Sequence, residues 1–151
     1  KVCTFSLQYC VGKSCKTQGV EKMKCIFCNE IKEEQILLET ASFEVIFDID
    51  PIQLGHLLII SKSHTESIID LTSETLLELI ILEKKIVEVL ENNFDILGVS
   101  IIQNNGKVMD DGTHFHVHVV PRYTEDKFWD NQTVVRRNID INHLKQVLSY
   151  I

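Results

Sequence analysis

Between Thr113 and Arg122 the chain reads Thr-His-Phe-His-Val-His-Val-Val-Pro-Arg, with three of its six histidines at every second position among apolar residues. A strand turns successive side chains to opposite faces, so His114, His116 and His118 share one face while Phe115, Val117 and Val119 pack on the other. Neighbouring imidazoles in such a row stand ~6.6 Å apart. Pro121, which cannot donate to a ladder, ends the strand or marks its edge. Imidazole titrates near neutrality, so a row of neutral rings suits metal ligation or proton and nucleophile chemistry. A lone histidine in an apolar strand is most simply a core residue with one polar partner. Three in register would each need a buried partner of their own, and the row therefore reads as a site.

A chain of 151 residues with 44% hydrophobic content fills one ordinary core. Its net charge of −7 and the lack of a basic tract disfavour a nucleic-acid polymer, whereas a mononucleotide needs only a local pocket. No apolar run approaches the ~20 residues of a membrane span, and the first residues lack the layout of a signal peptide. Five cysteines is an odd number, and Cys25-Ile26-Phe27-Cys28 has the spacing of a metal or redox pair rather than of a secreted framework. A soluble cytoplasmic protein is expected. Residues 1–22, with Cys3, Cys10 and Cys15, show no clear period and read as an N-terminal extension or a misplaced start. Met23 then opens a domain spanning 23–151.

A short helix or turn is expected after the cysteine knuckle. Phe43, Val45 and Phe47 alternate as in a strand, and Leu57-Leu58-Ile59-Ile60 reads as a second, more buried strand beside it. Asp70, Thr72 and Ser73 offer N-caps to one long helix that ends near Asn92-Asn93. Its wide apolar stripe comprises Leu76, Leu77, Leu79, Ile80, Ile81, Ile86, Val87, Val89 and Leu90. Leu97 to Gln103 and His114 to Val120 read as third and fourth strands around an Asn104-Asn105-Gly106 turn, with a short C-terminal helix over 142–150. The fold class is α+β, an antiparallel sheet packed against one long helix.

His114-Phe115-His116-Val117-His118-Val119-Val120 resembles the His-φ-His-φ-His-φ-φ signature of the histidine triad (HIT) superfamily. Cys25-Ile26-Phe27-Cys28 resembles the family's N-terminal knuckle, and Gly55-His56-Leu57-Leu58-Ile59-Ile60-Ser61-Lys62-Ser63-His64 its Gly-His-x-Leu-Val-Ile-Pro-Lys-x-His strand. The resemblance runs from about Met23 to Tyr123 and implies a HIT-like fold and a nucleotide hydrolase or transferase. The implied substrates are dinucleoside polyphosphates, as in the diadenosine polyphosphate hydrolases, or nucleoside phosphoramidates. His116 would attack the α-phosphorus to give a nucleotidyl-histidine, a covalent intermediate that divides one displacement into two. His118 would hold phosphate oxygens or the leaving group, with His56 as a fourth active-site histidine. Asp48 stands where relatives contact the ribose, and it equally suits a turn cap before Pro51. Gln103 and Asn104 stand where relatives offer an amide to phosphate. A base slot would draw on apolar residues such as Ile26, Phe27 and Phe47.

The chain departs from the family at Val108-Met109-Asp110-Asp111-Gly112-Thr113, where many relatives carry Gly-Gln followed by Ser or Thr. Thr113 is the candidate replacement for the phosphate-binding hydroxyl. Zinc-containing branches of the family resemble the set Cys25, Cys28, His64 and His114, which implies a closed structural zinc site. For the two cysteines alone, free thiols and a redox pair are the other readings. For the protein as a whole the alternatives are a metal-dependent hydrolase using the histidine row, and a nucleotide-binding or sensing module with little turnover. Relatives are commonly homodimers, which the resemblance extends to this chain.

Overall fold

The computed structural model describes residues 25–130 and 134–151, so the extension expected over residues 1–22 lies outside the described residues. The β-branched and aromatic segments β2 (Phe43–Phe47) and β3 (Leu57–Ser61) pair antiparallel, from Phe43 opposite Ser61 to Phe47 opposite Leu57. A two-residue strand β1 (Leu38–Glu39) extends this pair on the β2 side. On the other side β3 pairs with β5 (His116–Arg122), which pairs with β4 (Gly98–Gln103). The sheet order is β1-β2-β3-β5-β4, antiparallel throughout.

One face of this sheet is covered by the helix α2 (Ser73–Asn93), capped by Thr72, whose hydroxyl accepts from the Thr75 N–H. Such a cap stabilises a helix by about 1 kcal/mol. Phe43, Val45, Leu57, Ile59, Phe115, Val117 and Val119 meet Leu79, Leu82 and Ile86 in the main core. Each large side chain so buried contributes roughly 1.5–3 kcal/mol. Of the wide stripe expected on this helix only Leu79 and Ile86 are buried, joined by Leu82, which lies outside that stripe, because a cylinder lying on a sheet touches it along one line. Leu77, Ile80, Ile81 and Val89 remain 46–62% exposed.

The opposite face carries a smaller apolar bed of Ile46, Leu58 and Ile60, against which Phe27, Ile31 and Ile36 pack. Residues directly opposite on paired strands share a face, so Ile60 sets His116 beside this bed and Leu58 does the same for His118. The strand expected from His114 begins two residues later. Phe115 donates its N–H to the Thr65 carbonyl at 2.7 Å, which leaves His114 at the mouth of β5. The strand also runs through Pro121 to Arg122. Arg122 accepts from the Leu97 N–H on the β4 side, so the Pro121 nitrogen faces the β3 side, where β3 has already ended opposite Val119. Here Gly55 has φ +84°, and a Cβ on it would lie 3.2 Å from Pro121 Cγ. The chain closes with α3 (Ile141–Leu148), capped by the Asp140 carboxylate.

Candidate active site

A one-turn helix, α1 (Ile26–Asn29), starts at Cys25 and is tied to the turn before the triad by the Ile26 N–H, which donates to the Gly112 carbonyl at 2.8 Å. Cys25 Sγ then lies 3.2 Å from Nδ1 of His114, while Cys28 Sγ lies 3.3 Å from Nδ1 of His64 and 3.4 Å from Nδ1 of His114. All four ligand atoms fall within 4.8 Å of one another. A tetrahedral ion with bonds of about 2.3 Å to sulfur and 2.0–2.1 Å to nitrogen spaces such atoms about 3.6 Å apart, so this donor set fits a metal. His114 is oriented for it: Nε2 donates to the Ser61 carbonyl at 2.6 Å, leaving the lone pair on Nδ1. Burial and the adjacent Cys25 push the Cys28 thiol up.

His116 and His118 form a second centre. His116 Nδ1 stands 2.7 Å from the His114 carbonyl, which only accepts, so that nitrogen carries the hydrogen and the lone pair sits on Nε2. Nε2 of His118 lies 3.1 Å away. On its other side Nδ1 of His118 is 3.0 Å from Nε2 of His56, a fully buried ring just before β3. Phe27 stands edge-on to both His114 and His116, between the Cys/His cluster and the second centre. Burial, with His116 and His56 adding to it, pushes His118 down to about 4. His56 is lowered as well, again chiefly by burial.

The model of the HIT domain matches residues 29–125 of the chain. The chain belongs to the HIT family. This HIT protein is 36% identical over 107 residues to a HIT-like protein of Methanocaldococcus jannaschii, covering 68% of this chain and 81% of the relative. It is also 36% identical over 109 residues to an adenosine 5′-monophosphoramidase of Candida albicans, 67% of this chain and 72% of that one. A zinc-bound histidine triad family protein from Mycobacterium smegmatis has the same fold, with a TM-score of 0.58 at 27% identity over 84% of this chain and 97% of the other.

Within this HIT site the remaining expected residues fall unequally. Asp48 takes the turn-cap role read for its position, its Oδ1 accepting from the Asp50 N–H at 2.9 Å, while its Oδ2 lies 3.2 Å from Nδ1 of His56. Gln103 is paired with Val117 and so stands on the helix side of the sheet, its Nε2 donating to Asn105 Oδ1 at 3.3 Å. Asn104 follows the strand, half-buried. The Thr113 hydroxyl donates to the Asp110 carbonyl at 2.7 Å, closing the turn before the triad. Thr113 borders an open cavity of about 610 Å³ shared with Cys25, His64, Glu66, Lys107 and Asp110. A smaller hollow of about 160 Å³ lies over the apolar bed, lined by Ile26, Phe27, Ile31, Phe47 and Leu58 among others. Sequence reasoning missed the carbonyls of His114 and Ser61 and the Ile52 N–H, which donates to His56 Nδ1 at 3.2 Å. Backbone groups leave no side-chain signature. Among the described residues no helix is long and apolar enough to cross a membrane.

Proposed function

We propose that this HIT protein is a nucleotide hydrolase or nucleotidyl transferase that cleaves at the α-phosphate through a nucleotidyl intermediate on His116. The observation that carries it is the fixed tautomer of that ring: Nδ1–H held on the His114 carbonyl puts the lone pair on Nε2, the nitrogen that attacks phosphorus. The apolar hollow over Phe27 and Leu58 suits a base, with the α-phosphorus at His116 and the leaving group toward His118. The likeness to adenosine 5′-monophosphoramidases supports nucleoside phosphoramidates as substrates, with dinucleoside polyphosphates as the second class.

Zinc is the metal we assign to Cys25, Cys28, His64 and His114, where it would supply a rigid four-coordinate joint. Thiolate ligands need a reducing environment, which supports a cytoplasmic protein. The exposed row Leu77, Ile80 and Ile81 on α2, beside the outer strand β4, supports a homodimer through that face. A catalytic metal on the histidine row is disfavoured, because Nδ1 of His114 faces the cysteines and its Nε2 donates to the Ser61 carbonyl, which takes one of the three rings out of the row.

The test is a panel of phosphoramidates, dinucleoside polyphosphates and nucleotide sugars, run on wild type and on His116→Ala. Turnover of at least one class that falls at least about a thousandfold in the variant is expected. Tight nucleotide binding with no turnover would instead favour a sensing module.

A further inference from the structure

Four side chains form one string. Asp48 Oδ2 lies 3.2 Å from Nδ1 of His56, Nε2 of His56 3.0 Å from Nδ1 of His118, and Nε2 of His118 3.1 Å from Nε2 of His116, whose Nδ1 ends on the His114 carbonyl at 2.7 Å. Each of these four contacts needs one hydrogen, and three neutral imidazoles supply three. His116 spends its hydrogen on that carbonyl and accepts at Nε2 from His118. His118 in turn accepts at Nδ1 from Nε2 of His56. Nδ1 of His56 is then bare, with two neighbours at 3.2 Å: the Ile52 N–H, which donates to it, and the Asp48 carboxylate, which has nothing to donate.

One more proton completes the string differently. Nδ1 of His56 becomes a donor to Asp48, and the imidazolium charge shared by His56 and His118 sits 3.2 and 3.8 Å from the carboxylate. The two arrangements differ by that proton and by which neighbour Nδ1 of His56 engages. We propose that Asp48 is a positioning residue which, acting through His56, lets the string take up one proton as an anionic substrate binds and deliver it from His118 Nε2 to the leaving group. This rests on the nucleotidyl-transfer reading above and gives Asp48 a role apart from any ribose contact.

The groups facing His118 are His116, His56, Asp48 and Asp110. In the free site burial and the two rings prevail and His118 is pushed down to about 4, so the proton is absent at neutral pH. A phosphoryl anion beside Nε2 of His116 adds the negative charge that tips the balance. The Nε2 lone pair of His116 then forms the N–P bond, and the bond from phosphorus to the leaving atom breaks with its electron pair going to that atom. The leaving atom takes the hydrogen from His118 Nε2, and the string returns to three hydrogens. In the second half water attacks phosphorus, the N–P pair returns to His116, and His118 recovers a proton from the water.

Asp48→Asn is the discriminating variant, because its amide N–H can donate to Nδ1 of His56 and satisfy all four contacts with no added proton. Two adenosine substrates are compared: the 5′-phosphoramidate, whose amine must leave protonated, and acetyl adenylate, whose carboxylate need not. The variant is expected to slow the first about a hundredfold more than the second, within the range general acids supply, and a difference under about tenfold overturns the proposal. A loss that vanishes when the substrates lack both ribose hydroxyls also overturns it, because Asp48 would then be a ribose contact. Wild type inert to both substrates contradicts the nucleotidyl-transfer reading itself. Independently of any variant, adenosine 5′-methylphosphonate is titrated into wild type by calorimetry at pH 7 in buffers of different ionisation enthalpy. Uptake of about one proton is expected, and uptake below about half a proton overturns the inference.

Discussion

Phe27 meets His116 edge to face, ring centroids 5.1 Å apart, and the same ring meets His114 at 5.4 Å. Phe27 lies between the two knuckle cysteines, so whatever fixes the knuckle also fixes one wall of the reactive centre. Aromatic contacts of this kind add about 0.5–1.5 kcal/mol beyond burial.

One zinc per chain is therefore expected by elemental analysis of the purified protein. Its removal by chelation, or Cys28→Ser, should lower Tm by at least about 5 °C, since a lost structural site removes folding free energy directly. Activity should fall with it, through loosening of Phe27 and His114. A protein that contains no metal and keeps its Tm in chelator contradicts the assignment.

Stability should fall as pH drops below neutrality. His118 is held at about 4 in the fold against about 6.5 when unfolded, so the unfolded chain gains its proton first and stability is lost as pH falls from about 6.5 toward 4. His56 is shifted in the same direction. Discounted for its partly solvated edge, His118 contributes on the order of 1 kcal/mol to this loss. Urea midpoints at pH 7 and pH 4.5 measure it, and His118→Gln should flatten the slope. An unchanged slope in that variant contradicts the shift.

Gly55→Ala should destabilise by about 1–3 kcal/mol, because the position has φ +84° and the new Cβ meets Pro121 Cγ at 3.2 Å. His56 is the next residue, so turnover should fall with the loss of stability. A variant as stable as wild type in denaturant titration would show that the turn relaxes freely.

Ile80→Glu should convert a dimer to a monomer with little loss of monomer stability, since Ile80 is already 59% exposed on its own chain. Sedimentation equilibrium reads this directly. Wild type that is monomeric at micromolar concentration contradicts an interface at α2 and β4.

The period-two rule alone placed His116 and His118 together and opposite Val117 and Val119, because the main core needs those valines. The helix α2 and the strands β2, β3 and β4 were equally legible from their apolar spacing. Gln103 was not, since which face it takes depends on its pairing with Val117, a register set by packing rather than by local sequence. The exposed row Leu77, Ile80 and Ile81 belongs to the same helical period as the buried row, and only the sheet's width distinguishes them. Thr113 reads as a ligand hydroxyl, yet the turn engages it first. The linkage of Asp48 to His56 crosses a loop whose shape no pattern encodes.

Trapping the covalent nucleotide tests most directly whether His116 is the nucleophile. Rapid acid-free quench of wild type with a labelled adenosine phosphoramidate, followed by peptide mapping, is predicted to find adenylate on His116. The adduct should persist in chelator and be absent from His116→Ala. Turnover without any labelled peptide, or with the label on another residue, would contradict it.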